Sequence, residues 1–103
     1  MTPDEKKTAI RRLGISADVF EDLYADFVTL AQECALLMKA AGDSCDWHRM
    51  GRLAHSVKGM AANLGVTSVF EAANAVESEV MAPAQSAFLL AKADLLLREI
   101  GLL

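Results

Sequence analysis

The sequence predicts an all-α protein, an antiparallel up-down four-helix bundle with a short additional N-terminal helix, and three observations carry that expectation. Apolar residues recur at three- and four-residue spacings through long segments. Capping side chains and glycines punctuate those segments in pairs. The composition is 53% apolar with 2 Pro and 6 Gly, rich in Ala and Leu and poor in Val-Thr-Tyr alternation, which argues against a β-sandwich or an α/β nucleotide fold. The 103 residues are read as one domain, 1–103. A chain of this length buries roughly two thirds of its unfolded surface and needs neither disulfides nor metal to stay folded.

Thr2-Pro3-Asp4-Glu5 places a capping hydroxyl, a proline at the first helical position and a glutamate at the third, which starts a short helix to about Leu13, closed by Gly14. Ser16 caps a second helix, with Ile15 and Phe20 spaced to clasp across its first turn. Its stripe Phe20, Leu23, Phe27, Leu30, Cys34 and Leu37 is expected to face the core, and Gly42 to end it. Asp43 or Ser44 then begins a third helix that reaches Leu64 before Gly65. Ser68 with Glu71 caps a fourth, with Val69, Ala73, Val76 and Val80 on one face, broken at Ala82-Pro83. Pro83 opens the fifth, which is apolar around most of its circumference as far as Ile100, so its period assigns no buried face. Joints of a few residues between long helices imply antiparallel neighbours.

The net charge of −4 gives no broad attraction to nucleic acid or to an anionic membrane. No apolar run reaches the roughly 18 residues that span a bilayer, and the start of the chain lacks the apolar stretch of a secretory leader. With two isolated cysteines, Cys34 and Cys45, the expectation is a soluble, reduced, cytoplasmic domain.

The third helix carries the chemistry. At about 100° per residue, with His55 at zero, Leu53, Val57 and Leu64 fall within about 20° of the opposite pole and Met50 and Met60 within about 40°. His55 is therefore expected in solvent. Gly51 and Gly59 flank it at about 40°, Arg52 and Lys58 at about 60°, and Ala62 and His48 at about 20°. Each glycine costs about 1 kcal/mol relative to alanine inside a helix, so their placement calls for a compensating reason. Either they accommodate close helix packing, or they clear the space around the imidazole. Arg52 and Lys58 sit one turn away on either side, with no Asp or Glu at three- or four-residue spacing. Such cations favour a neutral ring with a nucleophilic nitrogen and attract a phosphoryl group. With no local carboxylate to orient the ring, hydrolysis by a triad is not expected.

His55-Ser56-Val57-Lys58-Gly59-Met60-Ala61-Ala62-Asn63-Leu64-Gly65 resembles the histidine-containing phosphotransfer (HPt) domains of bacterial phosphorelays, and the likeness extends over essentially the whole chain. The resemblance implies that His55 is phosphorylated, that Lys58 interacts with the phosphoryl group and that Gly59 admits the partner. Gly51, Arg52, Ala62 and Asn63 would lie on or beside the docking surface. Met60 stands where the family often has a smaller residue. The implied function is reversible exchange with an aspartate of response-regulator receiver domains, with a hybrid sensor histidine kinase as a further partner. The receiver would bring Mg²⁺, and this chain would bind no cofactor. The chain has no P-loop and no kinase Gly-rich loop, so a carrier without ATP-dependent kinase activity is expected.

Rival readings of the same residues remain. His48 and His55 are about 10 Å apart along the helix, too far for one metal ion. Cys34, Cys45 and Trp47 read as ordinary packing or surface residues, and Asp4, Glu5, Asp18 and Glu71 mostly as first-turn carboxylates answering the helix dipole. The alternative from another class is a non-phosphorylated interaction module, binding a receiver or kinase or dimerising through the apolar fifth helix.

Overall fold

The computed structural model describes residues 1–80 and 86–103. Among them are five helices and no strand: α1 (Pro3–Leu13), α2 (Ala17–Asp43), α3 (Trp47–Leu64), α4 (Thr67–Val80) and α5 (Ser86–Gly101). Helices α2 to α5 pack in succession, and α5 returns against α2, so the four long helices enclose one core. The molecule measures 44 × 20 × 19 Å, and α2, at about 1.5 Å per residue, nearly spans its length.

Most helix ends follow the chemistry expected of them. Thr2 accepts from the Glu5 N–H while the Glu5 carboxylate accepts from the Thr2 N–H, and Gly14 ends α1 in the left-handed region at φ 66. Ser16 accepts from the Val19 N–H, and Gly65 ends α3 at φ 74. Two starts are displaced. Helix α2 runs through Gly42 and stops where Cys45 takes φ 56, with the Asp46 N–H closing onto the Ala41 carbonyl at 2.8 Å. The cap of α3 is consequently Asp46, which accepts from the Arg49 N–H, rather than Asp43 or Ser44. Helix α4 begins at Thr67, which puts Ser68 inside its first turn instead of at the cap. The expected break at Ala82-Pro83 and the expected start of α5 at Pro83 lie outside the described residues.

The core corrects the stripe expected on α2. Phe20, Phe27, Ala31, Met38 and Ala41 are buried and Cys34 is half-buried, whereas Leu23, Leu30 and Leu37 are 44%, 47% and 42% exposed. The two sets are heptad-spaced rows about 60° apart on one helix, and packing against α3 and α5 selects the row that Ala31 and Met38 extend. In α5 the same packing resolves the face that periodicity left open: Leu89, Ala93, Leu96 and Ile100 are buried. In α4, Val69, Ala72, Ala73 and Val76 are buried and Val80 is half-buried. Helix α1 contributes Ala9 to the core, and its Arg12 donates to the carbonyls of Ala62 at 3.3 Å and Asn63 at 2.7 Å, the last turn of α3.

Helix α3 buries Met50, Gly51, Ala54, Val57, Ala61 and Leu64, while Leu53 and Met60 are only half-buried. Its core face is thus turned toward α4 relative to the wheel expectation, and the two glycines part company. Gly51 is a packing glycine: a Cβ there would lie 2.8 Å from Val80 Cγ1. Gly59 is exposed, and a Cβ there would meet nothing within 4 Å. Placing both on an open face around His55 was therefore right for Gly59 and wrong for Gly51.

Alanine scanning by thermal or urea denaturation separates the two. Gly59→Ala should stabilise the fold by about 0.5–1 kcal/mol through helix propensity. Gly51→Ala should destabilise it by about 1 kcal/mol net, as the overpacking cost exceeds the same propensity gain. Combined with Val80→Ala, Gly51→Ala should cost less than it does alone, because the clashing methyl has gone.

Candidate functional site

His55 stands on α3 with its side chain 71% exposed, on a helix whose opposite side is buried. Along its own row, Gly59 and Ala62 are exposed, and Asn63 is exposed beside them. Residues at similar distances from the Gly65-Val66 turn meet across α3 and α4: Gly51 lies under Val80, and His55 faces Glu77. That pairing supplies a carboxylate the α3 sequence lacks. Glu77 Oε2 lies 2.7 Å from His55 Nδ1, and its Oε1 lies 2.8 Å from Lys58 Nζ.

One carboxylate thus spans both candidate side chains. The Lys58 hydrogen bond holds the Glu77 carboxyl below its ordinary value, against a partial desolvation that raises it, and the His55 hydrogen bond lowers it further. An ionised carboxylate only accepts, so Nδ1 donates to it. In the neutral ring the hydrogen is then on Nδ1, and the lone pair is on Nε2. The expectation of a purely cationic surround is corrected accordingly: Lys58, 22% exposed, is neutralised by Glu77. The expectation that the ring has no orienting carboxylate fails for the same reason. Glu77 was out of reach of a reading of α3 alone, because it lies on α4 and meets the ring only when the two helices pack.

His48, Gly51, Arg52, His55, Ser56, Glu77 and Val80 line a cleft beside the ring. Arg52 and His48 are exposed on it, and neither side chain makes a hydrogen bond or ion pair among the described residues. Among the described residues no group of three His, Cys, Asp or Glu side chains converges on a point where a metal could sit. Burial pushes the Cys34 thiol up, Cys45 is exposed, and Trp47 packs against the core at the start of α3. No helix among the described residues is long and apolar enough to cross a membrane.

Nitrogen NMR of the His55 ring should show the Nδ1–H tautomer in its neutral form, and Glu77→Ala should return the ring toward a mixture of tautomers. The depressed Glu77 carboxyl also fixes the sign of a pH effect. The bridge stabilises the fold fully above the ordinary carboxylate value of 4.5 and is lost as pH falls through the lower folded value. The stability difference between wild type and Glu77→Gln, about 1 kcal/mol or less for a bridge in contact with water, should therefore shrink as pH falls below about 4.5 in urea titrations.

A family model described as Hpt domain matches residues 22–100, which takes in most of α2 and all of α3 and α4. No curated protein and no solved structure matches the chain. The match covers well over half of the residues and includes the exposed histidine, its lysine and its glycine, and the chain therefore belongs to the Hpt domain family, the helical histidine phosphotransfer modules of phosphorelays.

Proposed function

We propose that the chain is a phosphorelay carrier in which His55 Nε2 takes a phosphoryl group from the aspartate of a response-regulator receiver domain and gives it back. The observation that carries the reading is the hydrogen bond from Nδ1 to Glu77, which leaves the exposed Nε2 with its lone pair outward. In the forward step Nε2 forms an N–P bond as the P–O bond of the receiver's acyl phosphate breaks, and the electron pair leaves with the aspartate carboxylate. Nδ1 keeps its hydrogen, so no proton has to depart, and the positive charge of the phosphorylated ring faces Glu77. Lys58 acts in this step through Glu77, holding the carboxylate against Nδ1. Phosphoryl transfer needs chiefly positioning and charge neutralisation. The receiver supplies Mg²⁺ and the acidic pocket, and this chain supplies neither a cofactor nor ATP chemistry.

The docking surface of the proposal runs over Gly59, Ala62 and Asn63, where the helix presents only small or short side chains. Next to Asn63 an apolar groove between Leu23, Leu30 and Met60 continues that face. Arg52 borders it on the other side of the ring, whereas Gly51 supports the site from beneath by letting α4 approach. A hybrid sensor histidine kinase is a second partner, and the setting is the cytoplasm.

A scaffold that binds without carrying phosphate is the second reading, favoured by the apolar cleft between α2 and α5 with Leu36, Leu90 and Leu97 on it. The two readings part on one experiment. Incubated with a phosphorylated receiver, the carrier takes up label that is acid-labile and alkali-stable, as a phosphoramidate is, and His55→Gln abolishes it. A scaffold binds equally well after that substitution and never carries label. Gly59→Leu should remain folded yet slow transfer by about a hundredfold, since displacing reacting groups by an ångström costs that much.

A further inference from the structure

Resting on the carrier reading, we infer that Arg52, rather than Lys58, is the cation that contacts the phosphoryl group on His55. Both lie one helical turn from the histidine, but they are in different states. Lys58 Nζ is bound to Glu77 Oε1 at 2.8 Å, and its side chain is mostly buried in that pairing. Arg52 is exposed and, among the described residues, its guanidinium has no hydrogen-bond or ion-pair partner.

The ring's orientation separates them further. Nδ1 is directed at Glu77, and in an imidazole the two nitrogens point away from each other, so a substituent on Nε2 projects away from the Glu77–Lys58 pair. A helical side chain also covers the turn on the N-terminal side of its own Cα. For His55 that turn carries Gly51 and Arg52. The cleft of about 380 Å³ beside the ring is lined from that turn, by His48, Gly51, Arg52, His55, Ser56, Glu77 and Val80, and Lys58 takes no part in it. Glu77, the one carboxylate on the cleft among the described residues, already accepts from two partners, and Arg52 has no ion-pair partner among those residues. A dianionic phosphoryl group on Nε2 offers the planar guanidinium two oxygens at once, the geometry that arginine matches and lysine does not. In the transfer step the N–P bond forms and the acyl P–O bond breaks as before, and Arg52 neutralises the charge of the moving group without exchanging a proton.

The test uses the full chain phosphorylated by phosphoramidate, a small donor that needs no protein docking, and alongside it by a phosphorylated receiver. Phosphorus NMR follows the second ionisation of the phosphoryl group with pH in wild type, Arg52→Ala, Arg52→Lys and Lys58→Ala, with melting curves to show that each remains folded. Arg52→Ala should raise the midpoint by about half a pH unit or more, as loss of a neighbouring opposite charge does. Arg52→Lys should recover part of the shift, and Lys58→Ala should move the midpoint less than Arg52→Ala. A midpoint unmoved in Arg52→Ala, or moved more in Lys58→Ala, overturns the inference and leaves the carrier reading standing. An Arg52→Ala chain that is slowed only with the receiver, and is unchanged in the small-donor reaction and the titration, assigns Arg52 to docking and equally overturns it. A wild type that accepts phosphate from neither donor brings down both.

Discussion

The bridge from Glu77 to His55 and Lys58 is the interaction on which the site depends. Its strength is small, because all three side chains are in contact with water and such pairs stabilise a fold by about 1 kcal/mol or less. Its effect is directional. A carboxylate can only accept, so one hydrogen bond determines which ring nitrogen of the neutral imidazole holds the hydrogen and which keeps its lone pair. The lysine keeps that carboxylate ionised and in place, which makes the histidine's chemistry a property of two helices and not of one.

The bridge requires α3 and α4 to lie close and in register, and the small residues between them allow that. Gly51 admits Val80, and the buried residues of the two helices include the small Ala54 and Ala61 of α3 and Ala72 and Ala73 of α4. The turn at Gly65 and Val66 sets the register: the Val66 N–H bonds the Ala61 carbonyl at 2.9 Å, and Gly65 takes the left-handed conformation that a side chain would strain. The packing glycine and the open glycine on α3 thus serve the same histidine from opposite sides, one by drawing the neighbouring helix in and the other by leaving its outer face low.

Local chemistry was legible in the sequence, and choices settled by tertiary contact were not. Thr2 with Glu5, Gly14, Ser16 and Gly65 act within a turn of themselves, so residue type and spacing were enough to place them. The exposure of His55 followed from the helical period, since Val57, Met50 and Leu64 fill the far side. On α2, by contrast, two apolar rows satisfy the same period, and only the positions of α3 and α5 decide that Phe20 and Phe27 turn inward while Leu23 and Leu30 do not. Gly42 looked like a stop yet remains helical, because the turn is made by Cys45, a residue type with no preference for positive φ. Glu77 belongs to the same class: its meaning lies in a partner 22 residues earlier, visible only once the hairpin is folded.

The contact between Arg12 and the last carbonyls of α3 reaches further than its two hydrogen bonds. Helix α1 precedes the segment matched by the family model and is held by the buried Ala9, the half-buried Ile10 and the Arg12 clasp. Opening of α1 would therefore cost far less than global unfolding, and it would hand the Asn63 carbonyl to water while the Ala62 carbonyl kept the Gly65 N–H. Fraying of the N-terminal helix is in this way linked to the distal end of the histidine-bearing helix, through carbonyls that an arginine clasp covers.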